Sequence, residues 1–237
     1  MINNVYVYHF TKKENVDSIL QNGLKHGTKY NTLGSQLRIG ANYFWFSPEH
    51  DLMNCKSNKD YECLQIYIDS NYCIIGNMDL ISSAFVNFML EKKNESVYDY
   101  RKLVALFDSS AIAYDYYENG LFRAPEIIIQ QEISPDYIKV IDPLEISGSF
   151  PNNREIYNEK LKHKLQDLTP PDVHHSNIYS MIEYLNEKDV IKKVALHDDA
   201  VGLLQSYIIN DNHEFFTIEL SCNKESNNYI NEYITIE

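Results

Sequence analysis

The fold is decided by Val5-Tyr6-Val7-Tyr8-His9-Phe10-Thr11 and by the segment that follows it, Glu14-Asn15-Val16-Asp17-Ser18-Ile19-Leu20-Gln21-Asn22-Gly23-Leu24. In the first segment the valines and His9 share one face and the aromatic rings share the other, which predicts a β-strand. The second segment predicts an α-helix with Val16, Ile19 and Leu20 on its inward face. The chain therefore opens with a strand that runs directly into a helix.

Two signals mark the ends of this helix. Thr11 and Glu14 have the T-x-x-E spacing of a capping box, in which each side chain accepts a hydrogen bond from the other residue's backbone N–H. Gly23 stands where a helix commonly ends on a residue with positive φ. We expect the helix to lie between these two signals.

The rest of the first half predicts more strands and a second helix. Asn42-Tyr43-Phe44-Trp45-Phe46-Ser47 is a short aromatic strand that ends before Pro48. Strands are also expected at 64–68, 126–130 and 137–141. An amphipathic helix is expected at 79–92, with its inward face formed by Leu80, Ala84, Phe85, Phe88 and Met89. The segment 105–117 fits either a helix or an irregular loop.

The pattern changes near residues 148–153, where Gly, Ser, Pro and Asn cluster. This change predicts an α+β domain over residues 1–146 and an α+β extension over residues 147–237. Helices are expected near 155–167, 177–188 and 198–209, followed by strands at 215–220 and 229–236. The extension is thus expected to be mainly helical and to end in a hairpin, and its packing on the first domain is left open.

Composition excludes several classes of protein. The net charge of −13 over 237 residues disfavours an unaided electrostatic grip on nucleic acid or on an anionic membrane. The four cysteines have no C-x-x-C spacing and no nearby histidine, so we expect neither a disulfide framework nor a metal. Neither a signal sequence nor a membrane-length apolar run is found, which favours a cytoplasmic protein without a membrane partner, non-classical secretion being left open.

Three residues on separate predicted strands carry the candidate chemistry: His9, Tyr43 and Glu126. Taken singly, His9 and Tyr43 are more typical of a core. Glu126 lies in Ala124-Pro125-Glu126-Ile127-Ile128-Ile129-Gln130, where a strand this apolar should be buried. Burying an unpaired carboxylate costs several kcal/mol, so this residue needs a partner or a task.

Together, the three segments resemble the ADP-ribosyltransferase fold of the His-Tyr-Glu type, the class of diphtheria-like toxins and poly-ADP-ribose polymerases. The opening strand and helix resemble the DarT toxin branch in particular. The resemblance covers roughly residues 4–142. It implies split sheets with flanking helices and an enzyme that moves ADP-ribose from NAD⁺, its substrate, to a macromolecule.

The resemblance also implies roles for single residues. His9 would hydrogen-bond the nicotinamide ribose, with Thr11 near the same group, and Tyr43 would stack on the nicotinamide ring. Glu126 would accept a hydrogen bond from the ribose 2′-hydroxyl and stabilise the oxocarbenium-like transition state.

The chain departs from the family pattern at two positions. Glu49 and His50 follow Pro48 where DarT toxins carry an arginine, so Arg38 is the candidate to replace that contact with NAD⁺. Ala124 stands where arginine-modifying transferases carry Glu or Gln, which disfavours arginine as the acceptor.

The loop 114–123 corresponds to the part of this fold that faces the acceptor. Tyr116, Tyr117 and Arg123 are therefore the candidate substrate-binding residues, through stacking or a grip on a protein surface. Packing of these aromatic rings beneath the sheet is the alternative.

The sequence thus predicts a mono-ADP-ribosyltransferase of the toxin or effector kind. The acceptor is open between protein and nucleic acid, and a regulatory or antitoxin partner is an open possibility. Two alternatives stand beside the enzyme: a catalytically silent module that binds NAD-like ligands or a partner, and a plain structural protein in which His9, Tyr43 and Glu126 do not converge.

Overall fold

A computed structural model describes residues 3–27, 33–48, 60–145, 152–171, 177–199, 202–210 and 214–220. These residues form five α-helices and ten β-strands, which is a mixed α+β arrangement. The strands are β1 Asn4–Lys12, β2 Asn42–Phe44, β3 Tyr61–Asp69, β4 Ile74–Asn77, β5 Ile112–Ala113, β6 Pro125–Ile129, β7 Ile138–Ile141, β8 Ile191–Asp199, β9 Gly202–Ile209 and β10 Phe215–Glu219. The helices are α1 Lys13–Asn22, α2 Met78–Glu91, α3 Tyr100–Ser110, α4 Asn153–Leu168 and α5 Ile178–Glu187.

The strands form three antiparallel sheets. Their orders are β1-β3-β7, β2-β6-β4-β5 and β10-β9-β8. The first two sheets are joined where the aromatic segment leaves β2, because the backbone of Trp45 pairs with Tyr8 of β1 through N–H···O bonds of 2.9 and 2.8 Å. One short segment therefore contributes to both sheets.

The main core lies between these two sheets. Val7, Leu64 and Ile66 come from the first sheet and pack with Phe44, Ile127 and Ile129 from the second. All five residues of β6 are buried, as expected for a strand that has neighbours on both sides and is covered on both faces. The run of three isoleucines is thus explained by two-sided burial.

The other face of the second sheet is covered by α2 and α3. Ile128 packs there with Leu80, Leu103 and Phe107. The third sheet joins the same cluster, since Val194 and Ile208 pack with residues of α2. A buried hydrogen bond of 3.0 Å between the hydroxyls of Ser83 and Ser206 also crosses this contact. The C-terminal segment is therefore packed on the N-terminal part of the chain.

Most expected strands of the first half are confirmed, but the details of α1 are not. The capping box is wrong: α1 is capped at Lys12 without any side-chain hydrogen bond, because Thr11 still pairs with Glu62 as part of β1. Leu20, expected inward, is 39 % exposed. Gly23 does end the helix with a positive φ of 76°, and its N–H donates to the carbonyl of Ile19.

The second helix is confirmed, with its buried face rotated from the expected one. Phe85 and Met89 are 45 % and 42 % exposed, whereas Leu80 and Ala84 are buried as expected. The buried face includes polar residues that hydrophobicity cannot identify, namely Asp79, Ser83 and Asn87. The undecided segment 105–117 is helical to Ser110 and then forms β5 and a short 3-10 turn.

The extension is less helical than expected. Its first two helices and the strand at Phe215–Glu219 are confirmed, but the helix expected at 198–209 is wrong because Asp198 and Asp199 end β8 and Gly202–Ile209 forms β9. Strand β9 is central in its sheet and pairs with both β8 and β10, which accounts for its apolar run. The expected strand at 229–236 and most of the boundary at 148–153 lie outside the described residues. Among the helices described, none has the length and hydropathy needed to span a membrane.

Gly23 and Gly34 provide a matched test of close packing at the end of α1. Both have positive φ, 76° and 91°, but a Cβ at Gly23 would lie 2.1 Å from the carbonyl oxygen of Ile133, whereas one at Gly34 would meet nothing within 4 Å. We expect Gly34→Ala to cost about 1–2 kcal/mol through backbone strain alone. Gly23→Ala should lower the free energy of unfolding by clearly more than Gly34→Ala does, because the new Cβ also clashes with the Ile133 carbonyl. Urea denaturation of both variants measures the difference. Equal losses would contradict the close approach.

Candidate active site

Glu126 is the second residue of β6 and is buried, with 2 % of its surface exposed. Its side chain alternates with those of Pro125 and Ile127 and so faces the same layer as Ile128, which packs under α3. Burial raises the pKa of this carboxyl to about 6, although the neighbouring Arg38 acts in the opposite direction. The carboxyl of Glu126 therefore binds its proton more tightly than an ordinary glutamate does.

Arg38 is the partner of this carboxylate. Its Nη1 donates to Oε1 of Glu126, and the arginine side chain is only 10 % exposed. The guanidinium also lies over the ring of Tyr43, with its Cζ 4.1 Å from the ring centroid. Its Nε is buried and has no hydrogen-bond acceptor among the described residues. Arg38 thus covers both Glu126 and Tyr43 and keeps one donor for a further acceptor.

The loop 33–40 is held over the sheet by contacts from three directions. Asp108 of α3 accepts hydrogen bonds from the hydroxyl of Ser35 and from the next backbone N–H, at 2.5 and 3.0 Å. Gln130, just after β6, donates its amide to two carbonyls of the loop. The hydroxyl of Tyr43 donates to the carbonyl of the arginine itself, at 3.0 Å. These contacts fix the arginine against the strand that carries Glu126.

His9 lies on the opposite side of β2. Its Nδ1 is 2.9 Å from the carbonyl oxygen of Tyr43, so Nδ1 carries a proton and donates it there. The imidazole also packs against Phe44, with ring centroids 5.6 Å apart, in the core between the sheets. Because Tyr43 and Phe44 point to opposite faces of β2, His9 and Glu126 are joined through this strand and do not face each other directly.

Thr11, expected near the nicotinamide ribose, shares the face of β1 that carries His9. It is buried and paired in register with Glu62. The structure therefore brings Tyr43, Arg38 and Glu126 into one cluster and leaves His9 and Thr11 outside that cluster.

Of the expected acceptor residues, Arg123 is buried. It is 7 % exposed and forms a bidentate ion pair with Asp79, with N···O distances of 2.9 and 2.5 Å. In this arrangement the guanidinium of Arg123 is engaged by a buried carboxylate and does not reach the surface, so its contact with an acceptor stays a prediction. Tyr116 is 81 % exposed, as an acceptor contact requires, while Tyr117 is half-buried and stacks on Phe46.

Sequence reasoning missed the residues that support Arg38. Asp108, Gln130 and Phe107 show no motif, and their roles follow only from the packing of α3 beside β6. The one available signal is Arg38 itself, an arginine shortly before the aromatic strand. Glu49 and His50, the residues at the departure from the DarT pattern, lie outside the described residues.

Removal of Arg38 tests the electrostatics of the cluster. In Arg38→Met the buried Glu126 loses its cation, which should cost about 3–5 kcal/mol of stability at pH 8. The folded-state pKa of Glu126 already lies above its ordinary value of 4.5 and would rise further, so the folded state binds the proton more tightly. The loss should therefore be small near pH 5, where the carboxyl is protonated, and should grow as pH rises through the folded pKa.

Urea denaturation at pH 5 and pH 8 measures this effect. The double variant Arg38→Met/Glu126→Leu serves as the control, since it removes both charges and should recover much of the stability lost at pH 8. An equal loss at the two pH values, or no recovery in the double variant, would contradict the buried pair.

Comparison of the chain with protein-family models, with curated proteins and with solved structures finds no match.

Proposed function

We propose that this protein is a mono-ADP-ribosyltransferase that moves ADP-ribose from NAD⁺ to a macromolecular acceptor, either protein or nucleic acid. One observation carries the proposal: a buried carboxylate, Glu126, whose pKa is raised to about 6, is paired with an arginine that also covers a tyrosine ring on the adjacent strand. Carboxylates with strongly shifted pKa and a specific charged partner are concentrated at functional sites.

The cluster supplies the groups that the donor requires. The pyrophosphate of NAD⁺ is a strong acceptor for a guanidinium, and Arg38 has a buried Nε without an acceptor among the described residues. When Arg38 turns to the pyrophosphate, it leaves both groups that it now covers. The ring of Tyr43 can then stack on nicotinamide, and the carboxylate of Glu126 can approach the ribose.

The reaction then proceeds by cleavage of the bond between the ribose C1′ and the nicotinamide nitrogen. The electron pair of that bond goes to the ring nitrogen, so nicotinamide leaves as a neutral molecule. The positive charge that develops on the ribose is stabilised by the carboxylate of Glu126. A nucleophile of the acceptor bonds to C1′ and loses its proton to water. His9, held by its bond to the Tyr43 carbonyl, supports the strand on which the nicotinamide ring stacks.

A second candidate is a catalytically silent module that binds an NAD-like ligand or a partner. The observation that favours it is the closed state of the site, since Glu126 is 2 % exposed and already paired with Arg38. The two candidates differ in one measurement, the release of nicotinamide from bound NAD⁺.

Glu126→Gln tests the enzymatic proposal. The amide keeps the shape of the side chain but cannot stabilise a cation by charge, so we expect transfer and nicotinamide release to fall by about 10²–10³. Glu132→Gln is the matched control, since Glu132 lies shortly after β6 with its side chain 49 % exposed and should keep full activity. The assay follows labelled NAD⁺ with candidate protein and single-stranded nucleic-acid acceptors. Full activity in Glu126→Gln, or NAD⁺ binding without turnover in the unaltered protein, would contradict the proposal.

The pH dependence gives a second test. The active form of Glu126 is the carboxylate, and its pKa is raised to about 6, so kcat/KM should reach half of its maximum near pH 6 and level off at higher pH. An ordinary glutamate would produce this rise well below pH 5. The rate of nicotinamide release between pH 4.5 and 8 measures the profile, and a profile with no rise in this range would show that the ionisation of Glu126 does not control the rate.

A further inference from the structure

A second site is formed where the two sheets separate. It is a cavity of about 420 Å³, a volume within the range of small-molecule sites. The described residues that line it are aromatic or are small or uncharged polar residues: Tyr6, Tyr8, Trp45, Phe46, Ser47, Tyr114, Tyr117, Asn119, Pro125 and Asn153. Six of these ten residues are aromatic, so much of the wall consists of ring faces and edges.

The rings are held in place before any ligand binds. Phe46 stacks on Tyr114 and on Tyr117, with centroid distances of 5.4 and 4.9 Å. The hydroxyl of Tyr117 donates to the side-chain oxygen of Asn153 at 2.9 Å, and the amide of Asn153 donates to two carbonyls of the loop before β6. A wall fixed in this way loses little entropy when a ligand enters.

The lining residues are also uncharged. None of the described residues that line the cavity is Asp, Glu, Lys or Arg. Burial raises the pKa of Tyr8, Tyr114 and Tyr117, so their hydroxyls stay protonated at physiological pH. A phosphate or carboxylate inside this cavity would lose its hydration without gaining a cation from the described lining residues, which costs several kcal/mol.

A cation, by contrast, is attracted by the negative faces of these rings. Cation–π contacts contribute about 0.5–1 kcal/mol at exposed sites and about 2 kcal/mol or more where water is excluded. The overall charge of −13 further favours the approach of cations. A planar ligand can also stack on the rings that line the wall.

The cavity is distinct from the Glu126 cluster. Pro125 lines the cavity, whereas the next side chain of β6, Glu126, points to the other face of the strand. None of the residues that form the Arg38 contacts lines the cavity. The two sites therefore share strand β6 but open on different sides of it.

We propose that this cavity binds a planar aromatic cation, such as an N-alkylated heteroaromatic ring, with the ring seated among the aromatic side chains. This site goes beyond the transfer of ADP-ribose and does not depend on it. Tyr6, one of the lining residues, is 54 % exposed, and its ring centroid lies 4.9 Å from that of Tyr67 with the two planes tilted by 37°.

Three ligands that share one fused ring system but differ in charge test the proposal. N-methylquinolinium is a planar cation, quinoline is its neutral relative at pH 8, and quinoline-2-carboxylate is an anion. Calorimetry on the full chain should show saturable binding of the cation, with an affinity about tenfold above that of quinoline and with no measurable binding of the carboxylate. Trp45 is the single tryptophan of the chain and lines the cavity, so saturable quenching of its fluorescence should follow the same order.

Two matched variants locate the binding. Tyr6→Ala should weaken N-methylquinolinium binding several-fold, whereas Tyr72→Ala should leave it unchanged, because both tyrosines are 54 % exposed but Tyr72 does not line the cavity. Glu126→Gln should also leave this binding unchanged. Purely linear quenching without heat of binding, equal affinity for the carboxylate, an unaffected Tyr6→Ala variant, or loss of binding in Glu126→Gln would each overturn the proposal.

Discussion

The structure depends on one constraint, the division of the segment 42–47 between two sheets. Tyr43 and Phe44 pair with β6, and Trp45 then pairs with Tyr8 of β1. The segment therefore sets the spacing of the two sheets at the point where they separate. The Glu126 cluster lies on one side of this segment, and the aromatic cavity opens beside the residues that follow.

The ion pair of Glu126 and Arg38 contributes little net stability compared with hydrophobic residues of the same volume. Desolvation of two charges offsets much of their attraction, and hydrophobic residues of similar volume often replace such pairs without loss. Desolvation also outweighs the effect of Arg38 on the pKa of Glu126, which is raised and not lowered. An unbonded Nε on Arg38, within the described part of the chain, adds a further cost. These features fit a site kept ready for an anionic ligand better than an element of the core.

Local sequence patterns predicted the strands, and they missed the contacts between residues that are distant in sequence. Alternation identified β1, and the three isoleucines identified β6, because both signals come from burial within a single strand. The capping box at Thr11 failed because strand pairing continued beyond the position where the helix signal began. Glu126 was identifiable as an isolated carboxylate in an apolar strand. The hold of Asp108 on the loop that carries Arg38 was not, since those hydrogen bonds join residues far apart in sequence.

The C-terminal segment is part of the architecture around both sites, although the sequence pattern predicts it as an extension. Asn153, the first residue of α4, accepts from the N–H of Gly120 and donates to the carbonyls of Phe122 and Arg123, immediately before β6. It also bonds the hydroxyl of Tyr117 in the cavity wall. One asparagine thus fixes both the approach to Glu126 and a wall of the aromatic cavity. For this reason, the segments before and after residue 146 act as one structural unit around strand β6.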